Sequence, residues 1–237
     1  MRTVAVILAG GTGRRIGAAT PKQLLDVGGR PILGYSVATF AAHPAIDDVR
    51  VVMARGHTSV AREIADRYGA GRVSRVIEGG ATRSESTLAA LRDLAGEPDD
   101  TRVLLHDAAR PFVTAGIVDR CLAALESFEA VAVGLPTTDT VVAVEDGLVK
   151  AMPPRDTLSR FQTPQGFRIG TLRKAYELAA ADPGFAATDD CGVVHRYLPD
   201  VPIRVVEGDE RNLKVTHPLD IVIAEHLAGR AADGEAP

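Results

Sequence analysis

Thr3-Val4-Ala5-Val6-Ile7-Leu8-Ala9 runs without a charge into Gly10-Gly11-Thr12-Gly13-Arg14-Arg15, and Thr20-Pro21-Lys22-Gln23 follows shortly after. A short run rich in Val and Ile, stopped by glycine, is the pattern of a parallel strand buried on both faces. The glycines leave backbone N–H groups free to close on phosphate oxygens. Arg14, Arg15 and Lys22 supply the matching charge. The stretch therefore predicts a polyphosphate site at the carboxyl end of a first strand. It is not a Walker A loop, because no Gly-Lys-Ser/Thr closes it. It is a poor dinucleotide fingerprint as well: the third glycine is missing and Gly17 comes one place late. A plain strand-to-helix turn with surface arginines is the bland alternative for the loop alone.

The rest of the chain builds on that first strand. Val49–Met53, Val73–Ile77, Val103–His106 and Ala130–Leu135 are further strand-like runs. Helical segments lie between them, from Pro31 to Ala42, His57 to Tyr68, Thr82 to Leu94 and Thr114 to Leu125, with Thr114 suited to an N-cap. This alternation predicts an α/β fold, a mostly parallel sheet with helices on both faces. Ligands of such sheets bind outside the carboxyl ends of the strands. Gly10 to Arg15, Gly79 to Arg83, Asp107 to Arg110 and Thr137 to Thr140 all fall there. Val141–Val144 and Leu148–Met152, joined through Glu145-Asp146-Gly147, predict a β-hairpin arm at about 138–160. Beyond it come a helix over Ile169 to Ala181, a cap at Thr188-Asp189-Asp190, a strand at Ile203 to Val206, an extended stretch at Asn212 to Thr216 and a helix from His217 to Ala228. Residues 1–228 are expected to form one domain and 229–237 a frayed tail.

Composition narrows the function. Of 237 residues, 46% are hydrophobic and only 4% aromatic, with no Trp, so the core is aliphatic. The net charge of −4 and the lack of a basic run argue against a nucleic-acid partner. No apolar run approaches membrane-spanning length. Two cysteines without metal spacing, and no leader before the first strand, suggest a cytoplasmic protein. The six histidines show no metal spacing, and no Gly-x-Ser-x-Gly elbow is present.

Nucleotidyl transfer suits what remains. A phosphate oxygen attacks an α-phosphorus, pyrophosphate leaves, and fixed cations and backbone N–H groups stabilise the charge without a covalent protein intermediate. Arg15 and Lys22 are the candidate cations. Asp107, ending a strand in His106-Asp107-Ala108-Ala109-Arg110-Pro111, can hold a hydroxyl or a nucleotide-bound Mg²⁺, or merely cap a turn. Arg110 reads as structural, paired to a carboxylate below the site, and His106 as a core residue or one behind the site. Gly79-Gly80 and Ser86, opening a helix, can read a base edge and a ribose, or form a glycine turn with an N-cap. Thr140, Arg155 and Lys214 lie on or beside extended segments and can gather round an acceptor phosphate. For Arg155 the plain alternative is an ion pair with Asp156 or another chain.

These motifs together resemble the 2-C-methyl-D-erythritol 4-phosphate cytidylyltransferase family and its close relative, the ribitol 5-phosphate cytidylyltransferases. The matching segments are Ala9 to Arg15, Pro21-Lys22-Gln23, Gly79-Gly80 with Arg83 and Ser86, His106 to Pro111, Asp139-Thr140, Arg155, Gln162-Thr163-Pro164-Gln165, Thr188-Asp189-Asp190 and Asn212 to Thr216. They stand in order over nearly the whole chain. The resemblance implies a glycosyltransferase-A-like nucleotidyltransferase domain, a Mg²⁺–CTP donor and pyrophosphate release. Arg15 and Lys22 would stabilise the transition state. CTP would lie on Ala9, Gly10, Gly11, Gly13, Gly80, Ser86 and Ala108. Asp107, Thr140, Arg155, Thr188 and Lys214 would face the acceptor. Mg²⁺ would be held mainly through the CTP phosphates, with Asp107 a further ligand. A homodimer is implied, its hairpin arms exchanged so that Thr140 and Arg155 complete the other subunit's site.

Four details bear on the acceptor. Ile7-Leu8-Ala9-Gly10-Gly11 and Cys191 lean toward the ribitol branch, while His106 to Pro111 and Gln162 to Phe167 suit the methylerythritol branch. The expected activity is transfer of CMP from CTP to 2-C-methyl-D-erythritol 4-phosphate, with D-ribitol 5-phosphate as the alternative acceptor. A non-catalytic nucleotide-binding module would be expected to lose some of Arg15, Lys22, Arg155 and Lys214, and all four are present. A sugar-1-phosphate nucleotidyltransferase shares the opening loop but not the later Thr-Pro-Gln and Asn-Leu-Lys segments.

Overall fold

The structure, a computed structural model, describes residues 1–11 and 20–232. Its strands are β1 (Thr3–Ala9), β2 (Asp26–Val27), β3 (Arg30–Pro31), β4 (Asp48–Met53), β5 (Val73–Glu78), β6 (Arg102–Asp107), β7 (Ala130–Pro136), β8 (Ala143–Glu145), β9 (Leu148–Ala151), β10 (Ser159–Arg168) and β11 (Ile203–Glu207). Its helices are α1 (Ile32–Ala42), α2 (Thr58–Tyr68), α3 (Arg83–Asp93), α4 (Ala115–Ala124), α5 (Ile169–Ala180), α6 (Asp190–Tyr197) and α7 (Pro218–Ala232).

β1 is the spine. Every residue of it is buried, and it pairs in parallel with β4 on one side and β6 on the other. Because side chains alternate across a strand, Ala5, Ile7 and Ala9 enter one core while Val4, Val6 and Leu8 enter the other. Helices α1, α2 and α4 cover the first face through Phe40, Ile64 and Ile117. Helices α3, α5 and α6 cover the second through Leu91, Leu172 and Val194. The expected sandwich of helices about a mostly parallel sheet is therefore observed, in the order β11-β7-β10-β6-β1-β4-β5.

The sheet holds one element absent from the sequence reading. β10 runs antiparallel between β6 and β7. Pro164 argues against a central strand, since it has no N–H for the ladder. The chain resolves this with a bulge between Gln162 and Gln165, so the ladder skips the proline. A two-residue pair, β2 with β3, also lies outside the expected elements. At the other end of the chain, α7 continues through Gly229 to Ala232, correcting a tail that began at 229. Gly229 does not adopt a left-handed φ, and the flanking alanines favour helix. Residues 233–237 of that tail lie outside the described residues.

The hairpin arm is present. β8 and β9 pair only with each other, and all their residues are exposed. Asp146 and Gly147 both have positive φ (53° and 75°), which a two-residue turn of the type favoured in hairpins demands.

The joint between β6 and β10 is polar. Thr163 Oγ1 accepts the N–H of Asp107 (3.0 Å) and donates to His106 Nδ1 (3.1 Å). His106 Nε2 then donates to the carbonyl of Arg110 (3.0 Å), which fixes the neutral tautomer. The ring is wholly buried beside Phe40 (centroids 5.1 Å apart), so His106 belongs to the core behind the site, as expected. Arg110 is structural, but the expected carboxylate partner is corrected. Its guanidinium donates to the carbonyls of Asn212 (2.7 Å) and Phe161 (3.3 Å).

Burial pushes His106 down from 6.5 to about 4, against smaller opposing effects of its hydrogen bond to Arg110 and the Asp107 charge. A folded value below the unfolded one means this share of stability is present above pH ~6.5 and lost as pH falls toward 4. The share amounts to roughly 3 kcal/mol. Denaturant unfolding between pH 7 and 4 should show that loss, and His106→Gln, which keeps one donor and one acceptor, should flatten it. Equal slopes for both proteins would contradict the assignment.

Candidate active site

Two glycine turns meet one helix at the carboxyl ends of β1 and β5. A Cβ on Gly10 would stand 2.6 Å from Ser86 Oγ, and one on Gly79 would stand 2.7 Å from the same atom. Only glycine admits backbone this close, so the two turns and Ser86 form one tight corner. Ser86 is buried on the first turn of α3, its hydroxyl returned to the carbonyl of Thr82 (3.0 Å). Thr82 caps that helix by accepting the Glu85 N–H (3.1 Å), and Glu85 reaches back to the N–H of Ala81 (2.6 Å). The local sequence Thr-Arg-Ser-Glu thus sets the helix start and aims its first residue, Arg83, inward.

Arg83 meets Asp107 at the end of β6. Its Nε donates to Oδ1 (3.0 Å), while the ammonium of Lys214 donates to Oδ2 (2.7 Å). Burial by itself would raise the Asp107 carboxyl, but the two cations outweigh it and hold it well below the usual carboxylate range. Lys214 arrives from a segment outside the sheet. Asn212, wholly buried, donates to Gln162 Oε1 (3.2 Å) and to the Thr163 carbonyl (2.8 Å), and the N–H of Val215 donates to Ala109 (2.8 Å). The bulged part of β10 therefore supplies the anchor for Lys214. Lys22, on a short 3₁₀ turn at Lys22–Leu24, is buried and donates to the carbonyl of Val215 (2.6 Å).

These groups surround a cavity of about 230 Å³. Gly10, Gly11, Lys22, Ser86, Asp107 and Lys214, all singled out in the sequence, line it. Ala9 and Ala108 instead lie in the core beside it, with Gly10 and Ala109 forming the wall. Gly80 stands behind that wall, its carbonyl facing Gly10. Gly13 and Arg15 lie outside the described residues. Three acceptor candidates are elsewhere. Thr140 and Arg155 are exposed, near and below the hairpin, where Arg155 donates to the Thr138 carbonyl (3.2 Å). Thr188 is exposed ahead of α6.

The cavity also holds residues the sequence reading gave no role. Arg83 pairs with Asp107, and Gln23 is buried on the wall with no partner for its Oε1 among the described residues. A Gly-Gly turn followed by an arginine at a helix start was the available signal for the first. The Pro21-Lys22-Gln23 segment was the available signal for the second. A larger cavity of about 890 Å³ lies between Tyr35, Tyr68, Arg30 and Phe112, but it gathers none of Lys22, Asp107 or Lys214. We assign the site to the smaller one, because charge and glycine backbone converge there.

A Mg²⁺ requirement can be weighed against the donor set. Among the described lining residues Asp107 is the only acid, and both its oxygens are engaged by cations. That suits an ion carried on substrate phosphates, as Mg²⁺ commonly is, better than one caged by protein.

Comparison with known proteins agrees with the geometry. The family model for IspD, 2-C-methyl-D-erythritol 4-phosphate cytidylyltransferase, matches residues 3–230. The 2-C-methyl-D-erythritol 4-phosphate cytidylyltransferase of Thermobifida fusca is 49% identical over 231 residues, covering 95% of this chain and 93% of that one. The bifunctional ribulose 5-phosphate reductase/CDP-ribitol pyrophosphorylase Bcs1 of Haemophilus influenzae is 37% identical, with 95% of this chain matching 48% of that protein. The crystal structure of 4-diphosphocytidyl-2C-methyl-D-erythritol synthase from Anaerococcus prevotii superposes with a TM-score of 0.85 at 30% identity, over 97% of this chain and 99% of that one. A match along nearly the whole chain, on the same fold, makes this chain a member of the 2-C-methyl-D-erythritol 4-phosphate cytidylyltransferase family.

Proposed function

We infer that this chain transfers CMP from CTP to 2-C-methyl-D-erythritol 4-phosphate, releasing pyrophosphate. The observation that carries this is the convergence of Lys22, Lys214 and Arg83 on one cavity between the glycine turns. A phosphate oxygen of the acceptor attacks the α-phosphorus of CTP. A P–O bond forms there and the α–β bridging P–O bond breaks. Lys22, with Arg15 of the preceding glycine loop, neutralises charge on the transferring and departing oxygens. Gly10, Gly11 and the corner at Ser86 take the nucleotide, at a close approach that only glycine permits. Lys214 takes the acceptor phosphate and Asp107 the polyol. In the free protein these two side chains hold each other, so the acceptor exchanges its own phosphate and hydroxyl for that ion pair. Mg²⁺, carried on the triphosphate, adds charge neutralisation at the phosphates when bound.

Arg155 and Thr140 belong to this reading through a second subunit. They lie away from the cavity of their own chain, and the arm exposes Val144, Leu148, Val149 and Met152 to water. Such an apolar, unpartnered hairpin favours exchange between two copies. The partner subunit's Thr140 and Arg155 then close the acceptor site. No helix among the described residues is long and apolar enough to cross a membrane. We place the enzyme in the cytoplasm, residues 1–228 acting as one catalytic unit.

Pyrophosphate release with CTP and Mg²⁺ should be rapid with 2-C-methyl-D-erythritol 4-phosphate and slow with D-ribitol 5-phosphate. The reverse order would make the chain a CDP-ribitol enzyme, and silence with both would favour a nucleotide-binding module. Lys22→Met should lower kcat/KM by about 10²–10³, and a rate near the native one would remove Lys22 from the chemistry. Lys22→Met and Arg155→Ala proteins, each impaired alone, should regain activity when mixed, because a hybrid dimer holds one intact site. No regain on mixing would place each site within one chain.

A further inference from the structure

Asp190 lies behind the site, wholly buried at the start of α6. Its backbone N–H is held by Gln165 Oε1 (3.1 Å). Its Oδ1 accepts from Thr87 (2.9 Å) and Tyr176 (2.7 Å), and its Oδ2 accepts from Arg83 Nη1 (2.5 Å). A carboxylate this deep is costly unless paired. Its pairing cation is the same guanidinium that reaches Asp107 through Nε. Arg83 therefore stands between two carboxylates, one facing the cavity and one in the core.

The planar fork of arginine makes this arrangement consequential. Left to itself, a guanidinium engages a carboxylate through two parallel bonds. Here Asp190 holds Nη1, and Arg83 reaches Asp107 through Nε alone, at Oδ1; the Nε–Nη2 edge that could take both oxygens is not squared onto that carboxylate. Oδ2 remains for Lys214. The remaining nitrogen, Nη2, is buried and has no partner among the described residues, so among these the two carboxylates are the hydrogen-bond partners that fix the turn of the group.

We propose that Asp190 is a positioning residue that acts through Arg83 to keep one oxygen of Asp107 available to Lys214 and to the acceptor. It rests on the reading that Asp107 and Lys214 serve the acceptor. Without the Asp190 charge, Arg83 turns onto both oxygens of Asp107, and Lys214 loses its guide.

A double-mutant cycle tests this on the whole enzyme, with KM for each substrate as the readout. Asp190→Asn keeps an acceptor for Thr87 and Tyr176 and removes the charge. It should raise KM for 2-C-methyl-D-erythritol 4-phosphate about tenfold, a change of roughly 1.4 kcal/mol, and leave KM for CTP unchanged. In an Asp107→Asn background the same change should add nothing. Arg83→Lys, which keeps the charge but cannot span both carboxylates, should reproduce the acceptor defect and serves if Asp190→Asn does not fold. Effects that multiply in the double variant, or KM values that rise together for both substrates, would make Asp190 merely structural and overturn the inference. If Asp107→Asn alone leaves the acceptor KM unchanged, the reading of the site falls and the inference with it.

Discussion

Asp107 is the charge about which the site is arranged. It sits at the last position of β6, buried, with a guanidinium on one oxygen and an ammonium on the other. Each of those cations comes from a distant part of the chain: Arg83 from the start of α3, Lys214 from the segment before α7. An unpaired carboxylate there would be costly, and an unpaired arginine in the same place equally so. Joining them makes the three segments mutually dependent, so the site forms only when the sheet has formed beneath it.

The sheet meets that requirement through its central strands. β1, buried along its whole length, orders β4 on one side and β6 on the other, and so sets the glycine turn of Gly10 and Gly11 beside Asp107. The antiparallel β10 has a second task beyond filling the sheet. Its bulge turns Gln162 and Thr163 toward Asn212, and the Asn212 amide ties the Lys214 segment to the sheet. The irregularity in the ladder is thus what brings Lys214 to the cavity. Bulges beside functional groups commonly serve to re-aim the chain in this way.

The same molecule separates rigid from unpartnered parts. The cavity wall is built on strand ends, a capped helix and a glycine corner, all held by buried contacts. The hairpin arm has no contact of that kind along its length, and its large apolar side chains face water. Chemistry that positions a nucleotide needs the first kind of element.

What the sequence by itself determined was whatever depends on neighbours in the chain. Strand and helix periods were legible because alternation and 3.6-residue spacing are local, and so were the cap at Thr114, the Asp-Gly turn of the hairpin and the glycine loop after β1. Motif order carried the family, and charge beside glycine turns and strand ends marked Lys22, Asp107 and Lys214 as candidates, which line one cavity. Tertiary structure alone decided the rest. β10 was hidden because Pro164 breaks a ladder, and only pairing with β6 and β7 shows how the bulge accommodates it. Arg110 finds carbonyls in place of a carboxylate, Asp190 shares Arg83 with Asp107, and Thr140 and Arg155 lie away from the cavity of their own chain. Each of these is set by which residues, far apart in sequence, the fold brings together or keeps apart. Charge and hydrogen-bond satisfaction in a buried space is fixed by which groups the fold brings together, and no local pattern encodes it.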